Sequence, residues 1–104
     1  MKDFKRIVRD YALRSISDDY ENAERIFGDV GRWCADSGIE PNREAILAAL
    51  QGLIQQGYAQ AYRFEPPFKE AIPTGYSAEI VDALWFYVTS KGKRLACDLQ
   101  EEWH

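Results

Sequence analysis

Apolar residues recur at helical spacing along the first half of the chain. Phe4, Ile7, Val8, Tyr11 and Ala12 form one stripe, which predicts an amphipathic helix from Lys2 to about Ile16. Ser17-Asp18-Asp19 breaks it. Asp18 with Glu21 has the form of a capping box, with Asp in the Ser/Thr role. Ala23, Ile26, Phe27, Val30, Trp33 and Cys34 then predict a helix from about Asp19 to Asp36. Gly38 supplies its left-handed C′ position, and Ile39 can fold back on its end. Asn42 is the expected N-cap of a third helix, whose stripe is Ile46, Ala49, Leu50, Leu53 and Ile54 and whose end is Gly57.

At Tyr58 the period changes to two. Tyr58, Gln60, Tyr62 and Phe64 alternate with Ala59, Ala61 and Arg63, as in a strand. Pro66-Pro67, Pro73 and Gly75 argue against regular structure through about Tyr76, apart from one helical turn that Ser77 can cap, Ser77 to Asp82. Leu84 to Thr89 is dense in aromatic and β-branched residues and reads as a second strand. Thr89 or Ser90 then caps a last helix carrying Leu95, Ala96, Leu99 and Trp103. Two strands about one loop pair most simply as an antiparallel hairpin, and an isolated hairpin is marginal in water. The expected fold is therefore mainly α with a small antiparallel β-hairpin: a three-helix core, a hairpin laid against it and a closing helix.

The 104 residues suffice for one domain, 1–104, and are too few for two. Lys and Arg total 13 against 17 Asp and Glu, a net charge of −4, which disfavours indiscriminate binding to nucleic acid or anionic membrane. Cys34 and Cys97 are far apart with no Cys-x-x-Cys, and are expected as reduced, partly buried thiols. The charged start Met-Lys-Asp-Phe-Lys-Arg is no signal peptide, and the longest apolar stretch falls far short of a membrane span, so a cytoplasmic location is expected. The sole histidine, His104, is the last residue, and no Ser/His/Asp or Cys/His constellation assembles around it. Neither a phosphate-binding glycine loop nor metal-ligand spacing occurs. No catalysis, cofactor or metal is expected.

Arg43 to Tyr58, with its leucine-rich end, its glycine and the strand start after it, resembles the recognition helix of winged helix-turn-helix regulators. Phe86-Tyr87-Val88-Thr89-Ser90-Lys91-Gly92-Lys93-Arg94-Leu95 resembles the segment after the wing in MarR-like and PadR-like regulators, where an aromatic residue and Leu-Thr precede a Gly-Arg pair. The resemblance covers roughly residues 20 to 100. It implies a winged helix-turn-helix fold and a transcription-regulator-like, DNA-binding role as a homodimer. The long second helix, and a loop from about Glu65 to Ala83 longer than an ordinary wing, depart from the family pattern.

That role places the third helix in the major groove. At about 100° per residue its outward side holds Glu44, Ala48, Gln51 and Gln55. Gln51 and Gln55 suit adenine edges, Glu44 can accept from cytosine, and Arg43 can reach a phosphate. One Arg beside one Glu neutralises nothing net, however, and the wing region is acidic. Positive charge lies elsewhere: in a basic stripe of Lys2, Lys5, Arg6 and Arg9 on the first helix, and in Lys91, Lys93 and Arg94 in the first turn of the last, where it opposes the helix dipole and suits an anion. Trp103, Phe68, Ile72 and Tyr76 are candidates for a dimer interface or for packing within the molecule. Two functions remain open: duplex DNA binding, and protein contact by a winged helix without nucleic acid. A positive surface over the third helix and wing favours the first; a neutral or negative one favours the second.

Overall fold

The computed structural model describes residues 4–64 and 70–100. Helix α1, Phe4–Ser15, buries Val8, Ala12 and Leu13 on one side, while Phe4, expected in that stripe, is exposed at its start. The Ser17 hydroxyl donates to the Leu13 carbonyl at 2.6 Å and helps close the helix. Helix α2, Ala23–Asp36, buries Ile26, Val30 and Cys34. Helix α3, Arg43–Gln55, buries Ile46, Leu50 and Leu53 and starts at Asn42, whose side chain accepts from the Ala45 amide at 2.8 Å.

The start of α2 corrects the capping-box expectation. Glu21–Asn22 is drawn out as a short strand, β1, and the cap is Asn22, which accepts from the Arg25 amide at 2.9 Å. Pairing with a later strand holds Glu21 and Asn22 extended, so Asp18 is too far back to cap. Both α2 and α3 end as their glycines imply. The Gly57 amide donates to Ile54 and the Tyr58 amide to Leu53, with Gly57 at φ 82°, a conformation that side chains with a Cβ rarely adopt. Gly38 and Ile39 repeat the arrangement on Ala35 and Cys34.

The chain continues through β2 (Ala59–Phe64), β3 (Ala71–Thr74), a 3-10 turn (Ala78–Ala83), β4 (Trp85–Val88) and α4 (Ser90–Gln100). The strands form one four-stranded antiparallel sheet in the order β1-β4-β2-β3. The expected pairing of the two principal strands is present, with Ala59 opposite Val88 and Ala61 opposite Phe86. A two-stranded hairpin understates the sheet, because β1 and β3 extend it on either side. β3 also corrects the expectation that the proline-containing loop lacks regular structure. Pro73 pairs opposite Tyr62 in an outermost strand, where a missing N–H is tolerated. The 3-10 turn lies where one helical turn was expected, but the Ser77 side chain does not cap it.

Helices and sheet share one core. Ala59, Ala61, Phe86 and Val88 face inward among Leu13, Ile16, Ile26, Leu50 and Leu53, while Gln60, Tyr62, Phe64, Trp85 and Tyr87 alternate with them on the opposite side. The end of α3 and the start of α4 are stitched together. Thr89 Oγ1 donates to the Gly57 carbonyl at 2.6 Å and accepts from the Gly92 amide at 3.0 Å, so Thr89 caps α4. Gly92 is buried so closely that a Cβ there would overlap the Tyr58 carbonyl oxygen and a Val88 methyl. The molecule is thus mostly helical with a small antiparallel sheet.

Candidate functional site

Helix α3 leaves Glu44, Ala48, Gln51 and Gln55 exposed, the side that its periodicity assigns outward. The cations near it are engaged within the molecule. Arg43 Nη2 lies 3.2 Å from Asp82 Oδ1 in the 3-10 turn, and its guanidinium carbon lies 4.9 Å from the centre of the Phe27 ring. Lys91 Nζ donates to the Gln56 carbonyl at 2.8 Å and lies 4.7 Å from the Tyr58 ring centre. Its position therefore opposes the dipole of α4 while favouring that of α3, whose carbonyl end it meets. Lys93 lies 5.2 Å from the Tyr87 ring centre, and Arg94 is exposed on α4. Lys91 thus adjoins Gln56, at the end of α3, whereas Arg43 and Glu44 lie at the other end, roughly 18 Å away at 1.5 Å per residue.

The basic stripe on α1 is partly neutralised by its own helix. Arg9 Nη2 lies 2.8 Å, and Arg6 Nε 3.7 Å, from the carboxylate of Asp10, which is buried. Lys5 is exposed, and Lys2 lies outside the described residues. A second buried carboxylate, Asp29, accepts from Ser15 Oγ at 2.9 Å and holds Arg25 at 3.3 Å and Arg32 at 3.2 Å. Neither arrangement was singled out in the sequence, where Asp10 and Asp29 look like ordinary members of charged helix faces. Of the expected interface residues, Tyr76 packs within the molecule, 6.5 Å from Phe86 between ring centres, and Ile72 is half-buried in β3. Phe68 and Trp103 lie outside the described residues.

Sequence reasoning missed the outer side of the sheet. Tyr20, just before β1, lies over it and meets Tyr62 at 5.1 Å, Phe64 at 5.6 Å and Tyr87 at 4.8 Å between ring centres. Phe64 meets Trp85 at 5.4 Å, nearly perpendicular. These spacings are those of favourable aromatic pairs. All five rings remain half-buried. Burial pushes the Tyr62 hydroxyl above the ordinary tyrosine range, and the Tyr20 and Tyr87 hydroxyls add to the effect. A recess of about 540 Å³ opens among Asp19, Tyr20, Phe64 and Trp85. The missed signal is in β4 and the residue before it, where Leu84 to Val88 is apolar without interruption and so implies cover on both faces.

Fold and surface together define a small α+β protein with helices on one side of its sheet and clustered aromatic rings on the other. No family model matches the chain, and neither a curated protein nor a solved structure matches it. Among the described residues, no three His, Cys, Asp or Glu side chains converge as a metal site requires, and no helix is long and apolar enough to cross a membrane. Cys34 is free and buried; Cys97 is free and exposed, contrary to the expected partial burial.

Proposed function

We propose that this chain is a non-catalytic module of winged helix-turn-helix type that works by contact with another protein, through the aromatic side of its sheet. One observation carries the reading: Tyr20, Tyr62, Phe64, Trp85 and Tyr87 are gathered on one surface and left half-buried. Tyrosine and tryptophan of this kind are what buried interface centres are made of. Element order supports the winged-helix comparison, since a short strand after α1 pairs with the returning strand β4 beside helices α2 and α3.

Single-stranded nucleic acid also stacks on such rings, but its backbone needs a positive track. Here Lys93 lies over Tyr87, but Asp18, Asp19, Glu21 and Glu24 cluster about Tyr20 along the chain, whose net charge is −4. Duplex DNA is the second reading, favoured by the exposure of Gln51 and Gln55 on α3 and of Arg94 on α4. It is disfavoured by the intramolecular engagement of Arg43 and Lys91, because phosphate contacts dominate such affinity.

Photo-crosslinking separates these readings. A benzophenone amino acid is placed in cells at Tyr62 on the sheet, and separately at Gln51 on α3. Protein adducts concentrated at Tyr62 are expected. A nucleic-acid adduct at Gln51, together with a salt-sensitive mobility shift of mixed duplex DNA, would transfer the function to DNA.

A further inference from the structure

We propose that the recess among Asp19, Tyr20, Phe64 and Trp85 binds an alkylammonium group, presented by a lysine side chain of the protein partner. The inference rests on the protein-contact reading and names the chemistry that one part of that surface recognises.

The walls of the recess are aromatic. Tyr20 and Trp85 stand at 82° and 84° to Phe64, so each meets it edge to face rather than in a flat stack. Ring faces are electron-rich, and a cation within about 6 Å of a ring centre is attracted to them, most strongly by Trp. A neutral alkyl group gains only the burial of its carbons. Asp19 supplies the charge that complements the guest. Its Oδ1 accepts from the Tyr20 amide at 2.7 Å, which fixes an exposed carboxylate at the edge of the rings.

Charges farther off are mixed: Lys93 lies over Tyr87, and Glu21, paired with the inward-facing Phe86, lies on the helix side of the sheet beside Arg25. The Glu21 carboxyl is pushed above the ordinary glutamate range by burial; Arg25 opposes the shift, and the negative charges of Asp29 and Asp19 add to it. Among the described residues that line the recess, Asp19 carries the only charge, which repels an anion and attracts an ammonium. A long side chain also suits the mixture of apolar rings and one carboxylate. The stem of lysine can lie along apolar surface while its ammonium reaches the rings and the carboxylate.

The test uses the intact protein, labelled with nitrogen-15, and three blocked pentapeptides of sequence Gly-Gly-X-Gly-Gly. In them X is lysine, trimethyl-lysine or norleucine. The indole N–H of Trp85 and the amides of Tyr20 and Phe64 report binding, and free choline serves as a small-molecule competitor. Both cationic peptides are expected to shift these signals, with the norleucine peptide weaker by about tenfold. Asp19→Asn, which keeps the hydrogen-bond acceptor and removes the charge, is expected to weaken the lysine peptide about threefold. Trp85→Leu is expected to abolish the shifts; should it disturb the fold, the surface change Asp19→Asn still carries the test.

Equal shifts with lysine and norleucine, or shifts mapping away from these residues, would overturn the proposal. Choline binding without peptide binding would overturn the assignment to a partner's lysine. Protein adducts at Tyr62 alongside a recess indifferent to cations would remove this inference and leave the wider reading standing. Peptide binding with no adduct at Tyr62 would keep the recess as an alkylammonium site and overturn both the wider reading and the assignment to a protein partner.

Discussion

Single atoms decide several positions in this molecule. At Gly92 the helix α4 starts so close to Tyr58 and Val88 that even a methyl group has no room. Gly92→Ala is expected to lower the unfolding free energy by about 1–3 kcal/mol, read from the urea midpoint. Gly28, in the middle of α2 with nothing near its absent Cβ, should behave oppositely. There the change to Ala is expected to stabilise by about 0.5–1 kcal/mol, since it restores helix propensity. The two thiols form a similar contrast. Burial raises the Cys34 thiol and hides it in the core, while Cys97 is exposed. A thiol-specific chromogenic reagent should titrate one cysteine in the native protein and both after unfolding; rapid reaction of both would contradict the placement of Cys34.

Among the elements, the start of α2 gives the sharpest test. Asn22→Ala removes the observed cap and is expected to cost about 1 kcal/mol. Asp18→Ala removes only the expected one, and should stay within about 0.5 kcal/mol of the parent. A larger loss at Asp18 than at Asn22 would restore the capping box. This difference also marks what a sequence can reveal. The body of each helix was legible because its evidence is local: an apolar stripe, Asn42 before α3, glycines after α2 and α3. β1 was not, because a strand of two residues exists only through its partner β4, more than sixty positions away. β3 was hidden by Pro73, whose exclusion from strands lapses at a sheet edge. The alternation in β2 was legible, yet it does not say which side is inward. The small residues Ala59 and Ala61 face the helices, and the large rings of Tyr62 and Phe64 face out. The candidate surface was therefore out of sight, and Tyr20, which joins its rings, lay inside the span expected to be helix.

For the whole molecule, Glu21 contributes a definite response to pH. The folded chain holds the Glu21 proton more tightly than the unfolded chain does, so in the window between the ordinary and raised values it binds more protons. Stability due to this group then falls as pH rises through that window. Glu21→Gln is expected to raise the neutral-pH unfolding midpoint, with the gain fading as the pH drops below the ordinary glutamate range. A gain that persists in acid would show that ionisation is not its cause.

The outline of the sheet carries one more consequence. One rim is only two residues long, and the other contains a proline that cannot donate. Both rims are therefore poor templates for an incoming chain, and stacking end to end into fibrils is discouraged. An approaching molecule gains little from lengthening the ribbon, and the proposed partner would settle broadside on the rings instead.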